Sequence, residues 1–269
     1  MKCYINNVVT SSQVATDIKL LIPDAGLRRR MSRVIKNAVT TAVECIGDVE
    51  KIDEMDAIIT ATGWGCLADS ERFLRNLIVD KEQMLNPTPF IQSTFNTVGG
   101  QIALLRHNHC YNVTYVNRGH SFEDAVLDAM MRIADGESSN LLVGAFDEQT
   151  PSQQRIMERM GLFRHMNSGE GAVFAHITST PNEKSIAQIT AIDFPSSPMT
   201  EQECIEKYGN NGDAKVLYNT FAEHGLFPTA SAYSFAQAVC MAAAGEKEII
   251  IYNEILGATP TVIVLQCIG

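Results

Sequence analysis

Asn112-Val113-Thr114-Tyr115-Val116-Asn117-Arg118-Gly119-His120-Ser121-Phe122 is the stretch that decides how this chain is built. Asn112 to Val116 reads as a strand, and Phe122 to Ala134 as a helix with Phe122, Ala125, Val126, Ala129, Met130 and Ile133 on its inner face. Only Asn117 to Ser121 is left for the turn between them, so the segment is a strand-to-helix elbow. Ser121 is placed to cap the helix, with Asp124 three residues on.

Outward from the elbow the chain alternates strands and helices, the signature of an α/β fold. Towards the N-terminus, strands are predicted at Cys3 to Val9 and Asp56 to Thr62, the second ending in the turn Gly63-Trp64-Gly65. Between them Met31, Val34, Ile35, Ala38, Val39, Ala42, Val43 and Ile46 recur at helical spacing along one apolar stripe. Thr97 to Leu105 reads as a short helix of small residues. Beyond the elbow helix come a strand at Asn140 to Phe146, a polar helix near Gln153 to Met160 and a strand at Gly171 to Ile177.

The polar, turn-rich segment Ser179-Thr180-Pro181-Asn182-Glu183-Lys184 is the predicted boundary, dividing residues 1–178 from a shorter half over residues 185–269, packed as one globular unit. That second half reads as strand (Ile186 to Phe194), helices (Thr200 to Lys207, Lys215 to Glu223, Ala230 to Ala244) and two strands (Glu248 to Asn253, Thr261 to Gln266). It is a reduced echo of the first.

Composition narrows the function. In 269 residues, 45% are hydrophobic and 19% charged, which excludes collagen-like, coiled-coil and disordered classes. The formal charge of −10 repels a phosphate backbone, so nucleic acid is not an expected partner. No run approaches the roughly 20 apolar residues of a membrane span, since Ile249 to Ile268 is broken by Asn253, Glu254, Gly257 and Pro260. The N-terminus lacks the apolar core of a signal peptide, so the expected location is cytoplasmic. Seven irregularly spaced cysteines read as reduced thiols, mostly buried.

Three segments carry more specific information: Pro87 to Thr97 leading into Gly99-Gly100-Gln101, the elbow Asn117 to Phe122, and Leu141 to Glu148 followed by Gly169-Glu170-Gly171-Ala172. In this order and spacing they resemble the N-terminal half of the β-ketoacyl synthase family, the thiolase-like condensing enzymes. The resemblance is closest to the degenerate, chain-length-factor subgroup that accompanies fatty-acid, polyketide and aryl-polyene synthesis. Arg28-Arg29-Arg30-Met31-Ser32-Arg33, Asn211-Gly212-Asp213 and Pro228 to Ala232 point to that subgroup.

The resemblance implies a thiolase-like α/β fold: two related βαβ halves with stacked mixed sheets and shared central helices, the second half shortened. Relatives form two-fold dimers through the strand before the elbow, here Asn112 to Val116, so a homodimer or a heterodimer is expected. In active members a cysteine sits at the elbow, where the helix dipole favours its thiolate. Here Gly119 falls on that position, and glycine cannot be acylated. The two family histidines have Tyr208 and Ser231 as nearest counterparts, so the usual Cys-His-His set is missing. The implied role is that of a chain-length-factor-like partner of an active ketosynthase that also contacts acyl carrier protein. Phe90 and Phe122 are the candidates for lining an acyl pocket; Arg28, Arg29, Arg30 and Arg33 are candidates for carrier docking, or a solvated helix face paired with nearby acids. No cofactor and no metal are expected.

Other readings remain open at the level of sequence. An acyltransferase or hydrolase would use Ser121, His120 or Cys240, and a free-standing acyl-binding protein would need none of them. Cys110 and Cys240 read as inert thiols. His107 and His109 have strand-type metal spacing but no third ligand. Asp147 and Glu148 read as structural hydrogen-bonding groups at a strand end, and Trp64 as lining a surface or interface.

Overall fold

The helix over Arg33–Ile46 shows how the sequence builds the outer layer. Val34, Ile35, Ala38, Val39, Ala42, Val43 and Ile46 are all buried against the sheet, and Gly47 ends the helix in a left-handed conformation at φ +85° that glycine adopts without strain. This is a computed structural model, describing residues 2–163, 166–210, 214–219, 221–255 and 259–268.

The first half runs β1 (Cys3–Thr10), α1 (Ile18–Leu21), α2 (Ala25–Arg30), α3 (Arg33–Ile46), β2 (Ala57–Ala61), α4 (Leu67–Val79), α5 (Pro87–Gln92), α6 (Thr97–Leu104), β3 (Tyr111–Tyr115), α7 (Ser121–Ala134), β4 (Asn140–Asp147), α8 (Pro151–Arg159) and β5 (Gly171–Thr178). The second runs β6 (Ala187–Asp193), α9 (Glu201–Tyr208), β7 (Lys215–Leu217), α10 (Phe221–His224), α11 (Ser231–Ala243), β8 (Glu248–Asn253) and β9 (Thr261–Cys267).

The strands lie in the order β3-β2-β4-β5-β1-β6-β9-β8-β7. In the first half β2 is parallel to β3 and β4, while β4–β5 and β5–β1 are antiparallel. The second half repeats this, with β6–β9 and β9–β8 antiparallel and β8–β7 parallel. Thus β6, β9, β8 and β7 stand for β1, β5, β4 and β2, and β3 has no counterpart among the described residues. The second half, as described, is shorter by this edge strand and by several of the first half's connecting helices. A feature the sequence did not announce is the join: β1 and β6 pair antiparallel over Cys3, Tyr4 and Ile5, linking the two halves into one nine-stranded ladder.

Both faces of each half are covered, which is why the strands read as almost continuous apolar runs. Ile59, Val143 and Ala175 of the first half and Ile249, Ile251, Ile263 and Leu265 of the second share one core with α7 and α11. On the outside, Ile58, Leu142 and Phe174 pack under α3, and Ile250, Tyr252 and Val264 pack under α9. The central helices are shared, as the resemblance implied.

Two predicted elements change. Lys215 to Glu223 is not a helix: Lys215–Leu217 forms β7, because Val216 pairs with Ile250 on β8, and a separate short helix follows at Phe221–His224. Tertiary pairing overrides a weak local pattern there. Ser121 opens α7 without capping it, since the residue at the cap is His120 and its side chain makes no capping bond.

Candidate functional site

At the elbow, β3 gives way to a 3-10 turn over Arg118–His120 and then to α7. Arg118 is left-handed, at φ +51°, a conformation few non-glycine residues adopt. The buried Ser121 hydroxyl holds this geometry. It accepts the Asn117 N–H at 2.8 Å and lies 2.9 Å from the Thr62 carbonyl and 2.8 Å from the Arg118 carbonyl, one of which takes its single proton. Ser121 therefore ties the elbow to the end of β2. The Asn117 amide donates to Asp124 at 2.9 Å.

Gly119, the residue that the resemblance puts at the nucleophile position, is buried beneath Ile255. A Cβ there would lie 3.0 Å from the Ile255 Cβ and 3.1 Å from its Cδ1. A side chain at this position fits only if Ile255 gives way by a few tenths of an ångström. Behind it, Asn253 at the end of β8 donates to the Gly119 carbonyl at 3.3 Å and to the Glu123 carboxylate at 2.9 Å, and Thr261 donates to that carboxylate at 3.0 Å. Burial pushes the Glu123 carboxyl above its ordinary range, against the pull of these donors.

Asp147, at the end of β4, is the hub that fixes the two halves around the elbow. Its carboxylate accepts from the Thr62 hydroxyl at 2.8 Å, from Gly63 N at 3.0 Å and from Trp64 N at 2.7 Å. From the second half it accepts the Thr229 N–H at 3.0 Å and hydroxyl at 2.8 Å. Glu148 accepts the Ala68 N–H at the start of α4 at 2.9 Å. Both acids are structural, as their strand-end position suggested.

A cleft of about 520 Å³ opens over Gly119. Gly63, Trp64 and Arg118 form one side; Met157, Leu162 and Phe163, on and after α8, form another; Leu226, Phe227, Pro228 and Ile255 come from the second half. Gly63 must be glycine, because a Cβ would stand 2.2 Å from the Pro228 ring. The volume suits a small-molecule site, and apart from Arg118 the side chains are apolar or aromatic.

Several residues singled out from sequence lie elsewhere. His120 turns from Ser121, its Nε2 lying 2.6 Å from the Thr259 carbonyl, so the two do not form a nucleophile pair. Ser231 opens α11, buried beside Glu123. Tyr208 is not brought to the cleft: it ends α9 on the outer face, its hydroxyl donating to Asp193 at 2.5 Å. Two residues beyond β7, the Asn219 amide donates to the Glu254 carbonyl at 2.7 Å and its Oδ1 accepts the Glu254 N–H at 3.1 Å. Asn211, Gly212 and Asp213 lie outside the described residues.

Neither candidate pocket aromatic reaches the cleft. Phe90 is 55% exposed on α5, with its ring centroid 5.2 Å from that of Phe73, and Phe122 is a core residue edge-on to Phe235 at 5.4 Å. Cys240 is exposed on α11. Of the basic run, Arg28 bonds to the Ile22 and Pro23 carbonyls, and Arg29 and Arg30 make single bonds of 3.3 Å to carbonyls of their own helix. Arg33 grips Glu170 with two bonds, which with burial working the other way leaves that carboxyl below its usual range. Met157, Leu162, Phe163 and Ile255 had no signal in the sequence, since isolated apolar residues from distant loops make no pattern.

Residues 6–192 match the family of the β-ketoacyl synthase N-terminal domain. Among solved structures, the ishigamide ketosynthase/chain length factor superposes with a TM-score of 0.78 at 15% identity, over 100% of both chains. AntDE:AntF, a type II PKS acyl-carrier protein in complex with its ketosynthase bound to the hexaketide, gives 0.80 at 13% identity over 99% of each chain. The ketosynthase ApeO in complex with its chain length factor ApeC, from Xenorhabdus doucetiae, gives 0.63 at 13% identity over 99% of each chain. No curated protein matches the chain. At such identities the likeness is one of fold, a thiolase-like arrangement shared along the chain. The elbow, the paired halves around α7 and α11, and a family match over most of the sequence lead to one conclusion: the chain belongs to the β-ketoacyl synthase family.

Proposed function

We propose that this protein is a non-catalytic, chain-length-factor-like partner of an active ketosynthase, shaping the acyl pocket of a fatty-acid, polyketide or aryl-polyene type system. The observation that carries the reading is Gly119 in close contact with Ile255: the strand-to-helix elbow is present, and the residue at its turn has no side chain that could be acylated. Structural relatives include a ketosynthase with its chain length factor and a ketosynthase with its acyl-carrier protein, which supports both kinds of partner.

Two surfaces fit such partners. β3 is the outermost strand of the sheet, with its far edge unpaired among the described residues, and an isologous or pseudo-isologous contact there would extend the sheet across a two-fold. Arg29 and Arg30, exposed on α2, offer positive charge to an acidic carrier protein. The competing acyltransferase or hydrolase reading finds less support, with the Ser121 hydroxyl buried and His120 bonded elsewhere.

Intact-protein mass spectrometry after incubation with acyl- and malonyl-carrier proteins and the matching coenzyme A thioesters tests the reading. The expected result is no adduct on this chain, while a cysteine-containing synthase is labelled in parallel and co-purifies with it. A stable acyl group on one residue, or no affinity for any synthase or carrier protein encoded beside it, overturns the proposal.

A further inference from the structure

Four arginine side chains of the described chain make ion pairs: Arg33, Arg72, Arg106 and Arg132 each meet a carboxylate, and Arg33 meets two. Arg118 is different. It is exposed at the cleft, and among the described residues its guanidinium has no ion pair or hydrogen bond. No acidic residue lines that cleft to compete for it. The backbone at Arg118 is also held in a strained, left-handed conformation by the Ser121 bonds, and strain kept in place beside a cavity points to use.

We propose that the cleft binds an acyl chain as its free carboxylic acid, with the Arg118 guanidinium taking the carboxylate and the walls around Trp64, Phe163 and Phe227 taking the chain. The planar guanidinium fork matches a carboxylate with two parallel hydrogen bonds, and one positive charge balances one negative. In a chain of formal charge −10 an anion needs such a local cation to be held at all. With glycine at position 119 the ligand forms no covalent bond and is released intact. This goes beyond the partner role and is measured on the purified chain alone, so its failure leaves complex formation with a synthase untouched, and the reverse.

Trp64 is the chain's single tryptophan and lines the same cleft, so its fluorescence reports occupancy. The probes are decanoate, decanol and decanoyl-coenzyme A. Decanoate is expected to change the Trp64 emission saturably and to bind about tenfold more tightly than decanol at pH 8, the preference shrinking as salt screens an exposed charge. Arg118→Gly removes the guanidinium and suits the left-handed backbone, so the variant should fold as the parent does. It is expected to bind decanol unchanged and decanoate no better than decanol. Equal affinity of the parent for decanoate and decanol, a preserved preference in Arg118→Gly, tighter binding of decanoyl-coenzyme A than of decanoate, or no binding of any probe would each overturn the proposal.

Discussion

At position 119 the geometry leaves almost no latitude. Placing a cysteine there puts its Cβ 3.0 Å from that of Ile255, so one of the two must shift by a few tenths of an ångström. Gly119→Cys is therefore expected to cost about 1–3 kcal/mol, the usual penalty for overfilling a packed site, read as a lower urea midpoint with an unchanged slope. Ile255→Ala in the same chain should return most of the loss, a coupling between sites far apart in sequence. A single Gly119→Cys variant as stable as its parent would remove this account. The two partners also differ in how far sequence could reveal them. The elbow that holds Gly119 was legible because it is local, a strand, a turn and a helix in a few residues. Ile255 was not, because its closeness to Gly119 is made by the paired halves and no spacing in the chain encodes it. Tyr208 went astray for the same reason: matching it to a histidine position relied on a motif, whereas α9 lies on the outer face of the sheet.

Elements with both faces or one full stripe buried were read correctly, α3 and the strands of each half among them, since burial writes the periodicity. α4 and α5 were not. The only buried residue of α4 is Asp69, and three of its apolar side chains are open to solvent: Leu74 is 55%, Ile78 76% and Val79 70% exposed. On α5, Phe90 and Ile91 are 55% and 62% exposed. Apolar residues shown this openly on two adjacent helices mark an association face. Ile78→Asp is expected to change the stability of the single chain by no more than about 0.5 kcal/mol, as for most surface substitutions, while lowering its oligomeric state or its affinity for a synthase. Light scattering after gel filtration, beside a urea titration, separates the two effects; unchanged association would assign this face to solvent. β7 escaped prediction for a third reason, being three residues long and a strand only because β8 lies beside it.

Across the whole molecule, the two halves behave as a repeat in topology but not in stability. Their inner faces meet on the same two helices, and Asp147 bonds residues of both. We expect one cooperative unfolding transition for the full chain, and a fragment of residues 1–178 that is not independently folded and is cleaved rapidly by protease. Two resolved transitions by calorimetry, or a protease-resistant fragment, would make the halves separate domains. The shared core also sets an order of events during synthesis. All five strands of the first half have been synthesised by Thr178, whereas α11, which covers β1 and β5 on the inner face, ends only at Ala243. At roughly 5–20 residues per second the nascent sheet waits several seconds with Ile5 of β1 and Ala175 of β5 uncovered on that side. For that interval the growing chain is a client for chaperones, and the speed of translation between the two halves becomes part of what the protein needs in order to fold.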